Sequence, residues 1–248
     1  MKDLLIPTSN NYSNLTPSGF GIELKDIDLA DLNDQKREML LDTFYQSGGT
    51  ILIRNQQHLT PKNLRDFAAI FGTVELNERY NPDVLLPNHP EILRLGTLKE
   101  DGKRRALWIK SDDELLWHSD DTFRDPQHVG SCLFCVTAPP TGAETWYAGM
   151  SHAYDALPEH LKRKIEPLTA VHSYNHLNEI LCQSNPHRPK LSAELKAKLP
   201  PITRPLVAEH PITRRKSIYA TNVHIENINE YILNPVEKLT TLDNEIGN

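Results

Sequence analysis

The chain has 248 residues, 33 acidic against 27 basic side chains, a formal net charge of −6 and 38% hydrophobic residues. That balance suits a folded domain with a sizeable core, and the charges are interspersed with no basic stripe for a phosphate backbone, so nucleic acid is not an expected partner. No stretch approaches the roughly 18 apolar residues of a membrane helix, the Leu4-Leu5-Ile6 run is too brief for a signal-peptide core, and three cysteines fit a reducing compartment. The expected location is cytoplasmic, away from any membrane.

The first third reads as alternating helices and strands. Residues 34–46 place Met39, Leu40, Phe44 and Tyr45 on one helical face, and Gly48-Gly49 ends it. Thr50-Ile51-Leu52-Ile53 follows as a buried strand. Thr60-Pro61 opens the next helix, with threonine as N-cap and proline at the first helical position. Leu64, Phe67, Ala68 and Phe71 form its apolar face before Gly72.

From about Trp117 the pattern changes to short strands, expected at 115–120, 129–137, 145–148, 168–173, 205–210 and 217–221, with a hairpin at 210–215. Helices are expected at 151–157 and 159–165, broken at Pro158. Residues 175–200 are polar and proline-punctuated, with one helical piece at 192–199, and read as a lid or a surface excursion. Cys132 and Cys135 lie in an apolar run and read as small strand residues, because a redox or zinc pair wants a helix N-terminus or nearby partner ligands. No composition break or internal repeat divides the chain, so 1–248 reads as a single domain of mixed α/β character, mainly β.

The sharpest chemical signal is Trp117-His118-Ser119-Asp120. In a strand, residues i and i+2 face the same side, roughly 6.6 Å apart along the chain, so an imidazole and a carboxylate can converge on one metal ion. The spacing is weak by itself, since a surface histidine beside an acidic loop gives the same pattern.

Its surroundings are more specific. Thr122-Phe123, Pro126, the 131–136 run, Pro139-Pro140, Thr141-Gly142-Ala143-Glu144-Thr145, Ala153-Tyr154-Asp155-Ala156-Leu157-Pro158 and Pro205-Leu206-Val207-Ala208-Glu209-His210-Pro211 follow in order. With Phe71-Gly72 and the 19–54 region, this series resembles the taurine dioxygenase and 2,4-dichlorophenoxyacetate dioxygenase family over nearly the whole chain. The resemblance implies a double-stranded β-helix (jelly roll) with flanking helices and an iron(II)- and 2-oxoglutarate-dependent oxygenase that hydroxylates a small organic acid with O2, giving succinate and CO2. It makes His118 and Asp120 metal ligands and Thr145 a hydrogen-bond donor to the far carboxylate of 2-oxoglutarate. Taurine-specific members carry a histidine and a tyrosine after the Phe-Gly, where this chain has Asn77 and Tyr80. These two are candidate substrate contacts, and taurine itself is not expected. A homo-oligomer is compatible with the family.

Two departures matter. The family usually has two glycines where this chain has Gly142-Ala143; if the second needs positive φ, alanine adds strain. The family also places a second histidine ligand after a Trp-Asp-Asn-Arg-type motif, then an arginine that pairs with 2-oxoglutarate. Here the last histidine is His224 and the last arginine is Arg215, and no such motif occurs. The domain is therefore expected to be incomplete at its C-terminus and to lack its last strands, with a catalytically inactive truncated remnant as the alternative. His224 is expected to line a pocket wall or the surface rather than bind metal, His128, His172 and His210 read as ordinary strand or turn residues, and Arg214 and Arg215 as solvated.

Overall fold

The structure, a computed structural model, describes residues 12–77, 80–107, 117–184, 190–221 and 223–228. They form a mixed α/β fold of short strands in small sheets with six α-helices. The chain divides into two compact units, Met1–Glu114 with Val129–Trp146 and Leu115–His128 with Tyr147–Asn248. No helix among the described residues is long and apolar enough to cross a membrane.

In the first unit β1 (Tyr12–Asn14) pairs antiparallel with β2 (Ile22–Leu24), which runs parallel to β3 (Ile51–Ile53). A parallel pair needs a crossover, supplied here by α1 (Asp34–Gln46). Asn33 caps α1 by accepting from the Lys36 amide at 2.9 Å. Gly48 and Gly49, at φ 73° and 92°, then turn the chain into β3. Helix α2 (Pro61–Ala68) begins with a reciprocal capping box. The Asn63 amide donates to Thr60 Oγ1 at 3.2 Å, and the Thr60 amide donates to Asn63 Oδ1 at 3.0 Å. Ile22, Leu24, Leu29 and Leu40 form the core, with Ile51, Ile53 and Phe67 packed against it. The short hairpins β4 (Leu85–Leu86) with β5 (His89–Leu93) and β6 (Lys99–Glu100) with β7 (Lys103–Arg104) are the other strands among the described residues of this unit.

In the second unit α3 (Met150–Ala156) and α4 (Glu159–Ile165) lead to β8 (Thr169–His172), the middle strand of a sheet ordered β12-β8-β9. Helix α5 (Tyr174–Ser184) and α6 (Ala193–Lys198) precede β9 (Ile202–Pro205). Then β10 (Val207–Glu209) and β11 (Lys216–Ile218) form the expected hairpin, and β12 (Ile225–Ile228) returns beside β8. Tyr154, Leu157, Leu161, Ile165, Ala170, Leu206, Ile225 and Ile228 make its core. Glu166 ties the elements together, accepting from Tyr154 Oη and from Lys216 Nζ, the latter at 2.6 Å.

Several expectations need correction. The expected strand at 115–120 is absent where it is described: residues 117–119 are irregular and 120–123 form a turn. Asp121 takes φ 51° and its carbonyl accepts from the Arg124 amide at 3.0 Å, a reversal that no ladder can pass through. Residues 115–116 lie outside the described set. Residues 129–137 and 145–148 are likewise not strands, and Cys132 and Cys135 are exposed rather than strand-packed. The expected 205–210 strand breaks at buried Leu206 into β9 and β10. Residues 175–200 contain α5, whose cap is Ser173, its hydroxyl accepting from the His176 amide at 3.1 Å. Arg214 and Arg215 stay solvated as expected, 75% and 39% exposed, while pairing with Glu209 at 2.7 Å and Asp155 at 2.8 Å.

Candidate metal centre

The turn that carries His118 and Asp120 is built from its backbone outward. The positive φ at Asp121 reverses the chain. From the sheet, Arg204 on β9 donates from Nε to the Thr122 carbonyl at 3.0 Å and from Nη2 to the Arg124 carbonyl. A guanidinium suits this task because its fixed fork of donors can hold two carbonyls at once. Asp121 is buried, and its carboxylate lies 3.1 Å from His128 Nδ1 and 4.0 Å from Arg124 Nε. The turn thus directs Asp121 inward to local partners and leaves the neighbouring Asp120 facing solvent.

The His118 imidazole and the Asp120 carboxylate come together, with Nε2 and Oδ1 3.4 Å apart and side chains 36% and 62% exposed. Adjacent donors around a first-row ion bonded at about 2.1 Å sit roughly 3 Å apart, so this pair fits a divalent cation without rebuilding the backbone. The pairing expected from the sequence is present, made by a turn instead of a strand face. Among the described residues no group of three His, Cys, Asp or Glu side chains is arranged to hold a metal.

Behind the pair lies a layer of buried polar groups. His224 is 4% exposed, its ring edge-on to His118 with centroids 6.4 Å apart and 5.1 Å from the Phe123 ring. Thr122 Oγ1 is 3.2 Å from His224 Nδ1 and 2.9 Å from His172 Nδ1. Burial pushes His172 down to about 4, reinforced by the positive charge due on His224 and by Arg204. Burial, then His118, also pushes His224 down to about 4, against the pull of Asp121, Asp120 and a hydrogen bond to the Ser119 backbone. Both rings are therefore neutral at pH 7. Burial and the negative charge of Asp120 raise the Tyr147 phenol.

The other candidates are placed as follows. Thr145 is exposed, in the Val129–Trp146 segment of the first unit, outside any strand. Just before it Gly142 and Ala143 have φ 80° and 61°, so the second position of the pair does take positive φ and the alanine is strained. The Asn77 side chain donates to the Glu91 carbonyl at 2.8 Å and its amide to the Pro90 carbonyl at 3.1 Å, while the Tyr80 amide closes onto the Asn77 carbonyl at 3.0 Å. Asn77 thus fastens its own loop to β5. His210 is a turn residue, its Nδ1 accepting from the Ile212 and Thr213 amides at 3.2 Å each.

Sequence reasoning missed Thr122, His172 and Arg204 as parts of this site. The neighbourhood of Thr122-Phe123 with His118 was visible, but nothing in the sequence marked which distant strands would close on it.

The chain matches the family described as "Taurine catabolism dioxygenase TauD, TfdA family" over residues 11–240. It is 30% identical over 209 residues to an (S)-phenoxypropionate/alpha-ketoglutarate-dioxygenase of Sphingobium herbicidovorans, covering 80% of this chain and 66% of that one. It is 28% identical over 204 residues to an alpha-ketoglutarate-dependent 2,4-dichlorophenoxyacetate dioxygenase of a Burkholderia species, covering 79% and 65%. The chain therefore spans about two thirds of the length of these relatives. Its fold is shared with AAD-2 in complex with Mn(II) and N-oxalylglycine, at TM-score 0.65 and 24% identity over 94% of this chain and 80% of that one. A 2,4-D dioxygenase homologue from Burkholderia xenovorans aligns at TM-score 0.62 and 21% identity, covering 93% and 78%.

Proposed function

The chain belongs to the TauD/TfdA family of dioxygenases, and from that premise we propose that it is the iron(II)- and 2-oxoglutarate-binding domain of an oxygenase acting on a small organic acid. Iron(II) and 2-oxoglutarate are the family's cofactor and cosubstrate. The observation that carries the reading is the 3.4 Å approach of His118 Nε2 to Asp120 Oδ1 at the head of the family's motif series. In this proposal both units belong to one domain over 1–248, of the double-stranded β-helix type. The family match at 11–240, which runs through both units, supports that extent.

His118 and Asp120 hold the metal. Asp120 contributes a negative charge that offsets part of the dication's, and His118 contributes a neutral imidazole, so metal affinity falls when either is protonated. When bound, iron supplies the coupling of O2 reduction to oxidative decarboxylation of 2-oxoglutarate, giving succinate, CO2 and a hydroxylated substrate. Thr145 donates its hydroxyl proton to the far carboxylate of 2-oxoglutarate, a charge-assisted bond. The substrate's acid group is the handle by which the pocket orients it, with Asn77 and Tyr80 as the polar groups of the substrate side. The phenoxypropionate and 2,4-dichlorophenoxyacetate dioxygenases among its relatives favour an aryloxy acid.

The test is to incubate the chain with iron(II), 2-oxoglutarate, O2 and a panel of aryloxy and short-chain acids, and to measure succinate. Succinate that depends on one of the acids and disappears in Asp120→Ala supports the reading; substrate-independent succinate that survives in Asp120→Ala contradicts it. A second reading, a catalytically inactive relative, draws on the presence of two protein donors and no third among the described residues. Metal and 2-oxoglutarate binding without succinate from any acid would favour it.

A further inference from the structure

Three strands of one sheet each send something to the 117–124 turn. Arg204 on β9 holds two of its carbonyls. His172 closes β8 opposite Ile225 of β12 and Ile202 of β9, and His224 immediately precedes β12. The His224 carbonyl accepts from the Ser173 amide at 2.7 Å, which fixes the backbone of both histidines to one another.

The Thr122 hydroxyl between the two rings has one proton, so it donates one of its two imidazole bonds and accepts the other. Which way it points follows from His172 Nε2, which is buried without a hydrogen-bond partner among the described residues. A buried lone pair left unpaired is tolerated better than a buried N–H left unpaired. The proton of neutral His172 therefore sits on Nδ1 and is donated to Thr122, and Thr122 donates to His224 Nδ1. Neutral His224 must then carry its own proton on Nε2. Thr122 itself belongs to the 120–123 turn, two residues after Asp120, so the hydroxyl held between the two rings fixes that turn.

We infer that His172, Thr122 and His224 form a one-directional positioning relay that holds the 120–123 turn, and with it the His118–Asp120 pair, in place for a divalent cation. The inference rests on the reading of His118 and Asp120 as metal donors. None of the three relay residues is a ligand; they act through the turn, as partners behind a metal ligand fix its orientation. The hydroxyl is central because it lies within hydrogen-bond distance of both rings.

The experiment uses the full chain and two readouts. Long-range proton–nitrogen correlation spectra of the metal-free protein report which ring nitrogen carries the proton. Mn(II) titration by calorimetry reports the cation site. The relay predicts His172 in the Nδ1–H form and His224 in the Nε2–H form. It also predicts that Thr122→Val weakens Mn(II) binding about ten-fold, while Thr122→Ser restores it. A His172 proton on Nε2 overturns the relay. So does a Thr122→Val protein that melts earlier yet binds Mn(II) as the parent does, which is what a merely structural hydroxyl would give. If the parent chain takes up no Mn(II), the donor assignment of His118 and Asp120 fails, and the ring-proton positions still decide the relay.

Discussion

The 117–128 segment and the 129–146 segment adjoin in sequence and carry the metal-side and cosubstrate-side candidates, yet they are held in different ways. In the first, Asp121, Thr122 and Phe123 are buried, Arg204 grips two carbonyls, and two buried imidazoles flank one hydroxyl. In the second, Val129, Leu133, Val136 and Trp146 are exposed although the composition is that of a strand. The difference teaches that a side chain can be preorganised without a regular element beneath it. The His118–Asp120 pair is positioned by side-chain bonds to turn carbonyls, whereas Thr145 lies in a stretch with no assigned strand.

The largest effect that sharpens this contrast is on ligand binding. His118→Ala or Asp120→Ala should weaken Mn(II) or iron(II) binding by about 100-fold or more, since each removes a ligand itself rather than a partner behind one. Thr145→Ala should leave metal affinity unchanged and weaken only 2-oxoglutarate, which calorimetry with each ligand in turn separates.

Next comes acid. His172 and His224 are both held near 4 in the folded protein, below their unfolded value of about 6.5. Between those values the unfolded chain binds more protons than the folded one, so stability is present above about pH 6.5 and lost as pH falls towards 4. The loss is on the order of 3 kcal/mol for a ring titrating alone. Urea melts of the metal-free chain across that window should show it, and His172→Phe should flatten the slope. A curve independent of pH there would mean that the rings are not buried as described.

Removing the clamp acts at neutral pH as well. Arg204→Leu loses bonds to the Thr122 and Arg124 carbonyls, and each charged hydrogen bond contributes about 1.5–3 kcal/mol. Urea unfolding should report that loss, and Arg204→Lys should recover only part of it, because an ammonium lacks the planar fork. The smallest effect belongs to the other segment. Ala143 occupies φ 61°, so Ala143→Gly should relieve left-handed strain and raise stability by about 0.5–1 kcal/mol. An unchanged or lower melting temperature would contradict that strain.

Local signals in the sequence were legible, and long-range closures were not. Helix α1 and the Thr60-Pro61 start of α2 were readable because caps and glycine stops act over three or four residues. The hairpin of β10 and β11 was readable from His210-Pro211 and the alternation around it. The His118–Asp120 pair was readable from the motif, but the described residues 117–120 form no strand, because a positive φ at Asp121 is invisible in composition. Helix α5 was hidden by its polarity, although Leu177, Ile180 and Leu181 carry helical spacing behind the Ser173 cap. The buried relay was beyond reach: Thr122 meets His172 from 50 residues away and His224 from 102. No local propensity encodes such meetings; they arise when β8 and β12 pair.

The most direct test of the metal-donor assignment is an anaerobic titration of the full chain with iron(II) and 2-oxoglutarate, followed through the visible charge-transfer band of the chelate. The account predicts a band that requires both ligands, persists in Thr145→Ala at higher 2-oxoglutarate, and vanishes in His118→Ala and Asp120→Ala. No band in the parent chain, or an undiminished one in Asp120→Ala, would contradict it.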